Sequence, residues 1–225
     1  MLPELSVIFL DLDGTLIESV GIKDEAFQEL FSDYPDKLPE IMEYHTAHNA
    51  VVRYDKFRHI VPNILKEPLY PEREVDLAER FSSLVFDKIV KTNMTPGALS
   101  FLNRFLNTIP MVLISMTPEI ELRKIIEQRK MSPFFNQIYG AEWQKDQAML
   151  DYMKHNNIPS KNCVYIGDTP EDYTFSQQAK VAFIGRDSGR NFQTQPDYLF
   201  HHMGEITTCL EALFTINPSQ PAGAK

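Results

Sequence analysis

Short, branched, almost uninterruptedly apolar runs alternate along this chain with longer segments whose apolar residues recur at three- and four-residue spacing. Val7 to Leu10, Met111 to Ile114, Val164 to Ile166 and Val181 to Ile184 are runs of the first kind, and Phe135 to Tyr139, interrupted by Asn136 and Gln137, is read as a further strand between the second and the fourth. Continuous apolar character over so short a stretch is what a strand covered on both faces of a parallel sheet requires. Helical spacing follows them near Ala98 to Leu106, with Leu99, Leu102 and Phe105 as its apolar positions, and near Pro118 to Arg129, Gln144 to Asn157, Thr169 to Ala179 and Glu205 to Phe214. The alternation predicts an α/β fold with a doubly wound parallel sheet, and such a sheet carries its site at the carboxyl ends of the strands, near the switch point.

Residues 17–92 interrupt this rhythm. A single crossover helix needs far fewer residues, and the segment reads as helical throughout. Ile22, Ala26, Phe27, Leu30 and Phe31 keep helical spacing, as do Ile41, Tyr44, His45 and His48, then Val52, Phe57, Ile60, Val61 and Ile64, then Val75, Ala78, Phe81, Val85 and Ile89. Pro35, Pro39, Pro62, Pro68 and Pro71 punctuate the groups. The pattern predicts a helical bundle at 17–92 inserted into a core made of 1–16 and 93–216, with Thr95-Pro96-Gly97 turning the chain back into the core. The tail 217–225, rich in Pro, Gly, Ser and Ala, is expected to be disordered.

Composition narrows the classes. With 225 residues, 43% of them hydrophobic, the chain can bury one sizeable core and a small accessory unit. Its 22 basic and 31 acidic residues leave a net charge of −9, which offers no footprint for nucleic acid or anionic lipid. The two cysteines, Cys163 and Cys209, form neither a disulfide framework nor a zinc grouping. No apolar run approaches the length of a signal or membrane segment. These features predict a cytoplasmic protein without membrane contact. Oligomeric state stays open.

Candidate chemistry gathers where the predicted strands end. The first runs into Asp11-Leu12-Asp13-Gly14-Thr15, where two carboxylates in one small volume are tolerated only with a cation or a shared proton. The second ends in Ser115, followed by Met116-Thr117-Pro118-Glu119 opening a helix. Lys145 stands near the start of a helical stretch. The fourth ends in Gly167-Asp168, with Asp172 four residues on. Each has an ordinary alternative: turn chemistry for the first acid, helix capping for Ser115 and for one of the later acids, a solvated surface for the lysine.

Taken together and in this order, these groups resemble the four signatures of the haloacid dehalogenase-like superfamily, most of whose members transfer phosphoryl groups through an aspartyl-phosphate. The resemblance extends over nearly the whole chain. The Lys-Pro pair of many relatives is not reproduced after Lys145, which is assigned by its place among the other motifs. The resemblance implies that Asp11 is the nucleophile, that Asp13 is general acid and base, and that Ser115 and Lys145 meet the phosphoryl charge. Mg2+ would be held by the carboxylates of Asp11 and Asp168 and the backbone carbonyl of Asp13. Asp172 would hold a metal-bound water or steady Lys145.

An acid at position 13 suits a leaving alkoxide, which needs a proton, and argues against the dehalogenases proper and the phosphonate-cleaving branch. No Walker-type loop is present. The inserted bundle resembles the superfamily's helical cap, and its cluster His45, His48, Asn49, Arg53, Lys56, Arg58 and His59 supplies Arg53 and Lys56 as candidate substrate contacts, with a solvated face as the alternative. The expectation is a magnesium-dependent phosphatase acting on a small phosphorylated metabolite, such as a sugar phosphate. A phosphomutase of the same fold, a catalytically silent binding protein and residual dehalogenase activity are the other readings.

Overall fold

Strand β1 (Val7–Leu10) is fully buried along its length, so it must hydrogen-bond on both edges and pack on both faces. It does so at the centre of a six-stranded sheet in a computed structural model that describes residues 2–48, 51–192 and 194–217. The strand order is β3-β2-β1-β4-β5-β6, all pairs parallel, with β2 Met111–Ile114, β3 Gln137–Tyr139, β4 Cys163–Gly167, β5 Ala182–Arg186 and β6 Leu199–Phe200. The chain leaves the centre toward β3, returns, and continues from β4 to the other edge. That reversal beside β1 is the switch point the alternation of elements predicts. The fold is α/β with a parallel sheet, as expected.

Register sets the level of the strand ends. Leu10 pairs with Leu113 on one side and Ile166 on the other. Ser115 and Asp168 therefore both emerge two residues beyond the paired level, on either side of the Asp11–Asp13 turn.

The chain divides into two compact units, Met1–Glu18 with Asn93–Lys225, and Ser19–Thr92. The helices of the first unit are α5 (Ala98–Phe105), α6 (Glu119–Gln128), α7 (Lys145–Asn156), α8 (Pro170–Ala179) and α9 (Met203–Leu213), and those of the second are α1 (Val20–Leu30), α2 (Leu38–Ala47), α3 (Arg53–His59) and α4 (Pro71–Lys91). In the first unit, the segments that lead to and from residues 19–92 are paired with each other. Glu18 N–H donates to Asn93 O (3.0 Å), Thr95 N–H to Leu16 O (3.0 Å) and the Thr95 hydroxyl to Thr15 O (2.7 Å).

In the second unit Phe27, Phe31, Phe57 and Phe81 form an aromatic centre, with ring centroids of contacting pairs 5.0–6.3 Å apart. Three details depart from the sequence reading. Pro62 does not end its helix, because the backbone widens into a π-helical turn over Ile60–Ile64, where Leu65 N–H reaches Ile60 O and the N–H that proline lacks is not needed in an α-type ladder. Val75 and Leu99 are exposed. Val75 lies almost opposite Leu77 on α4, and Leu99 is turned about 100° from Ala98 on α5, so the buried stripes are Leu77, Ala78, Phe81, Val85, Ile89 and Ala98, Phe101, Leu102, Phe105. The tail from 218 onward and Asn49 lie outside the described residues.

Candidate active site

The turn after β1 is built by its own backbone. Gly14 takes φ +77°, a left-handed conformation that glycine tolerates without cost, and its N–H donates to Ile17 O (2.9 Å) while Leu16 N–H returns to Leu12 O (2.8 Å). Leu12 is fully buried, and Asp11, at 5% exposure, is held inward by its own N–H bonded to Ile166 O (3.0 Å). Asp13 is half-buried, near enough that its charge helps to raise the pKa of Asp11.

Lys145, the first residue of α7, is 3% exposed and reaches two of the predicted acids at once. Its Nζ donates to Asp11 Oδ1 (2.9 Å) and to Asp172 Oδ1 (2.6 Å). The solvated-surface alternative does not describe this lysine. Asp172 is held further by the Tyr165 hydroxyl (2.7 Å) and by the N–H groups of Asp168 (3.2 Å) and Thr169 (3.1 Å), while the Thr169 hydroxyl accepts from Asp172 N–H (3.1 Å) to complete a capping box at the start of α8. Asp172 is thus in direct contact with Lys145.

The electrostatics follow from these distances. Burial pushes the Asp11 carboxyl up to about 6, the pull of Lys145 falling short of the combined burial and neighbouring acids. Burial also works against the charged form of Asp172, but Lys145 and the hydrogen bonds from Lys145, Tyr165 and Thr169 hold it below the usual carboxylate value. Lys145 is desolvated yet pushed well above its ordinary value by Asp11 and Asp172. Asp168 is pushed up to about 8, first by burial and then by Asp11 and Asp172, with Arg190 opposing.

Asp168 is fully buried, and neither of its carboxylate oxygens has a hydrogen-bond partner among the described residues. An orphaned buried carboxylate is costly, and its natural complement is a cation. Ligand atoms of Asp11, Asp168 and Asp172 lie within 4.8 Å of one another, so three acids face one lysine in a closed space. A cluster of oxygen donors alone suits a hard divalent ion and not zinc. Asp172 is already committed to four donors, which leaves Asp11 and Asp168 as the carboxylates available to such an ion.

Ser115 sits at the end of β2, 1% exposed, and accepts the Thr117 N–H (3.2 Å) on its Oγ. That contact is a local turn and not a helix cap, because α6 starts after Pro118 with no side-chain cap. In the helical unit, Arg53 and Lys56 are buried and do not form a solvated face. Arg53 lies over the Phe81 ring (4.6 Å) and donates to the Ser82 hydroxyl (2.6 Å). Lys56 Nζ lies 3.1 Å from His45 Nδ1 and donates to His45 O (3.2 Å), and His45 Nε2 is 2.9 Å from Asp24 Oδ1. Arg58 is exposed and paired with Asp55 and Glu74. Tyr44 stacks on His48 and His59, with ring centroids 4.2 and 4.0 Å away.

Three residues of the core site escaped the sequence reading. Tyr165 hides in an apolar run as an ordinary core aromatic. Arg186, at the end of β5, is 2% exposed and donates to Gly14 O (2.9 Å) and Glu18 Oε1 (2.8 Å). Arg190, four residues on, has its Nε 3.5 Å from Asp168 Oδ2. A charged residue closing an apolar strand was the available signal for Arg186. Nothing in the local pattern marks Arg190.

A family model described as haloacid dehalogenase-like hydrolase matches residues 7–186. Phosphoglycolate phosphatase 1 of Pseudomonas aeruginosa is 22% identical over 93% of this chain and 80% of its own length. The phosphoglycolate phosphatase of Colwellia psychrerythraea is 23% identical over 93% and 99% respectively. Among solved structures, a HAD-type hydrolase from Bacillus subtilis, bound to magnesium, superposes with a TM-score of 0.67 at 17% identity, covering 92% of this chain and 99% of its own. Among the described residues, no helix is long and apolar enough to cross a membrane.

Proposed function

The chain belongs to the haloacid dehalogenase-like hydrolases, and from that premise we propose that it is a magnesium-dependent phosphatase that hydrolyses a small phosphorylated metabolite through an aspartyl-phosphate on Asp11. The observation that carries this reading is the arrangement of Asp11, Asp168 and Asp172 around Lys145, with no hydrogen bond to either oxygen of the buried Asp168 among the described residues. Such a cluster is stable when a divalent cation joins it, and it presents to an incoming phosphate the one carboxylate that lies beside both positive charges.

In this reading Asp11 and Asp168, with the backbone carbonyl of Asp13, hold the ion. When bound, magnesium supplies the positive charge that lets an anionic nucleophile approach an anionic phosphate. The Asp11 carboxylate attacks phosphorus in line, and the bond between phosphorus and the ester oxygen breaks as Asp13 delivers its proton to that oxygen. Asp13, now ionised, takes a proton from water, the water oxygen attacks the aspartyl-phosphate, and phosphate leaves with Asp11 restored. Lys145 and Ser115 meet charge on the nonbridging phosphoryl oxygens. Asp172 and Tyr165 keep Lys145 aimed.

The helical unit serves as the cap, with Arg53 and Lys56 as contacts for the nonreacting end of the substrate. The two unpaired thiols, Cys163 and Cys209, suit the reducing cytoplasm. Phosphoglycolate heads the candidate substrates because the relatives above are named for it, and sugar phosphates come next.

The test is phosphate release from such a panel with and without magnesium, with the Asp11→Asn variant alongside. Magnesium-dependent release that disappears in the variant is expected. Hydrolysis surviving in Asp11→Asn would remove the covalent mechanism.

A further inference from the structure

Among the described residues, Arg190 joins Lys145 as a cation in ion-pair contact with the acid cluster. The Arg190 Nε is 3.5 Å from Asp168 Oδ2, and the arginine side chain is 18% exposed where the acid is fully buried. Resting on the metal reading above, we propose that Arg190 is a built-in competitor for the divalent ion, holding Asp168 in the metal-free enzyme and releasing it when the ion binds.

The two cations at this cluster are held very differently. Lys145 is 3% exposed and makes short hydrogen bonds of 2.9 and 2.6 Å to Asp11 and Asp172, so it stays in place whatever else enters. Arg190 makes no hydrogen bond to Asp168, since both carboxylate oxygens lack one. Its attraction is therefore coulombic and non-directional, without the paired N–H to oxygen bonds that make an arginine and carboxylate pair durable. It sits on a loop, not on a helix or strand. Asp187 accepts the Gly189 N–H on its Oδ1 (2.9 Å), and Gly189 turns the chain with φ +85° into open space, with no atom within 4 Å of where a Cβ would stand. The guanidinium can swing outward without disturbing the sheet.

A divalent ion on Asp168 would repel the adjacent guanidinium, and the ion would take the oxygens toward which the guanidinium is drawn. Occupancy by one therefore excludes the other. When Asp168 is ionised and no metal is present, the arrangement keeps an otherwise unpaired buried charge compensated, and it weakens metal affinity by the strength of that compensation.

The experiment is a calorimetric titration with Mn2+ alone, without substrate, at alkaline pH so that the carboxylates are ionised in every protein compared. Wild type, Arg190→Gln, Arg190→Lys and Asp168→Asn are run together, each checked by its melting curve. Arg190→Gln should bind Mn2+ about tenfold more tightly than wild type, equivalent to about 1.4 kcal/mol. Arg190→Lys, which keeps the charge, should stay close to wild type. Equal or weaker binding by Arg190→Gln overturns the competition. If wild type takes up no Mn2+, or Asp168→Asn takes it up equally well, the metal reading itself falls and the competition with it.

Discussion

Gly167 and Asp172 share a space that admits only one side chain. A Cβ at Gly167 would stand 2.7 Å from Cβ, Cγ and Oδ2 of Asp172, closer than real carbon contacts allow, and the carboxylate that occupies this space is the one that accepts from Lys145 and Tyr165. Gly167→Ala should therefore push Asp172 out of position and release Lys145. The expected result is a loss of about 1–3 kcal/mol of stability, as for an overpacked core, together with a drop in kcat larger than that stability loss accounts for. A variant with full activity and an unchanged denaturation midpoint would show that Asp172 can move without consequence.

Asp13 is half-buried beside Asp11, and the proposed mechanism gives it the proton exchange with the leaving oxygen. Asp13→Ala should slow alkyl phosphate hydrolysis by roughly 10²–10⁴, the range typical of a lost general acid, and should slow an activated aryl phosphate much less. The ratio of the two rates is the readout. Equal losses on both substrates would take the proton-transfer role away from Asp13.

Lys145 compensates two buried acids, so its removal leaves them facing each other. Lys145→Ala is expected to cost about 3–5 kcal/mol of stability, the usual penalty for stripping one partner from a buried pair. Turnover should fall further than the folded fraction does. Urea denaturation and kcat measured on the same preparation separate the two effects, and survival of turnover would mean that another cation does this work.

The raised acids make metal-free stability fall with pH. Asp11 and Asp168 move from an ordinary 3.8 to about 6 and about 8 in the folded protein. Above 3.8 the unfolded chain has released protons that the native state still holds, so stability declines from about pH 4 through pH 6 for Asp11 and through pH 8 for Asp168. Asp172 is shifted the other way and gives stability above 3.8 that is lost only in stronger acid, outside this window. In EDTA the melting temperature should drop between pH 5 and pH 8, and added magnesium should raise it more at pH 8 than at pH 5. A metal-free melting temperature that is flat or rising across this range would contradict the electrostatics described here.

What could be read from the chain, and what could not, divides along the range of the interactions. Val7 to Leu10 and Cys163 to Ile166 declare themselves because a doubly covered strand has no polar position to blur it. Leu199–Phe200 does not, since a two-residue, half-buried edge strand carries no run. Pro62 reads as a helix end by local rule, yet packing of Ile60, Val61 and Ile64 carries the helix through it with a wider turn. Within the site, Asp11 and Asp168 are visible because acids at strand exits break an apolar pattern abruptly, and Asp172 because it follows Asp168 by four residues in the first turn of a helix. The hydrogen bond of Tyr165 to Asp172 is invisible because an aromatic in a strand needs no polar explanation. The contacts of Arg186 and Arg190 join distant segments, and no local periodicity encodes such a partner.

The grip of Arg186 on Gly14 also orders events in time. The carbonyl it holds belongs to the turn after the first strand, 172 residues earlier in the chain. That first strand itself waits for Met111–Ile114 on one edge and Cys163–Gly167 on the other. The Asp11–Asp13 turn is therefore made well before the arginine that also braces it. A product truncated before Arg186 would carry Asp11 on a turn closed by its own backbone bonds alone, with nothing from the far side of the sheet to brace the Gly14 carbonyl.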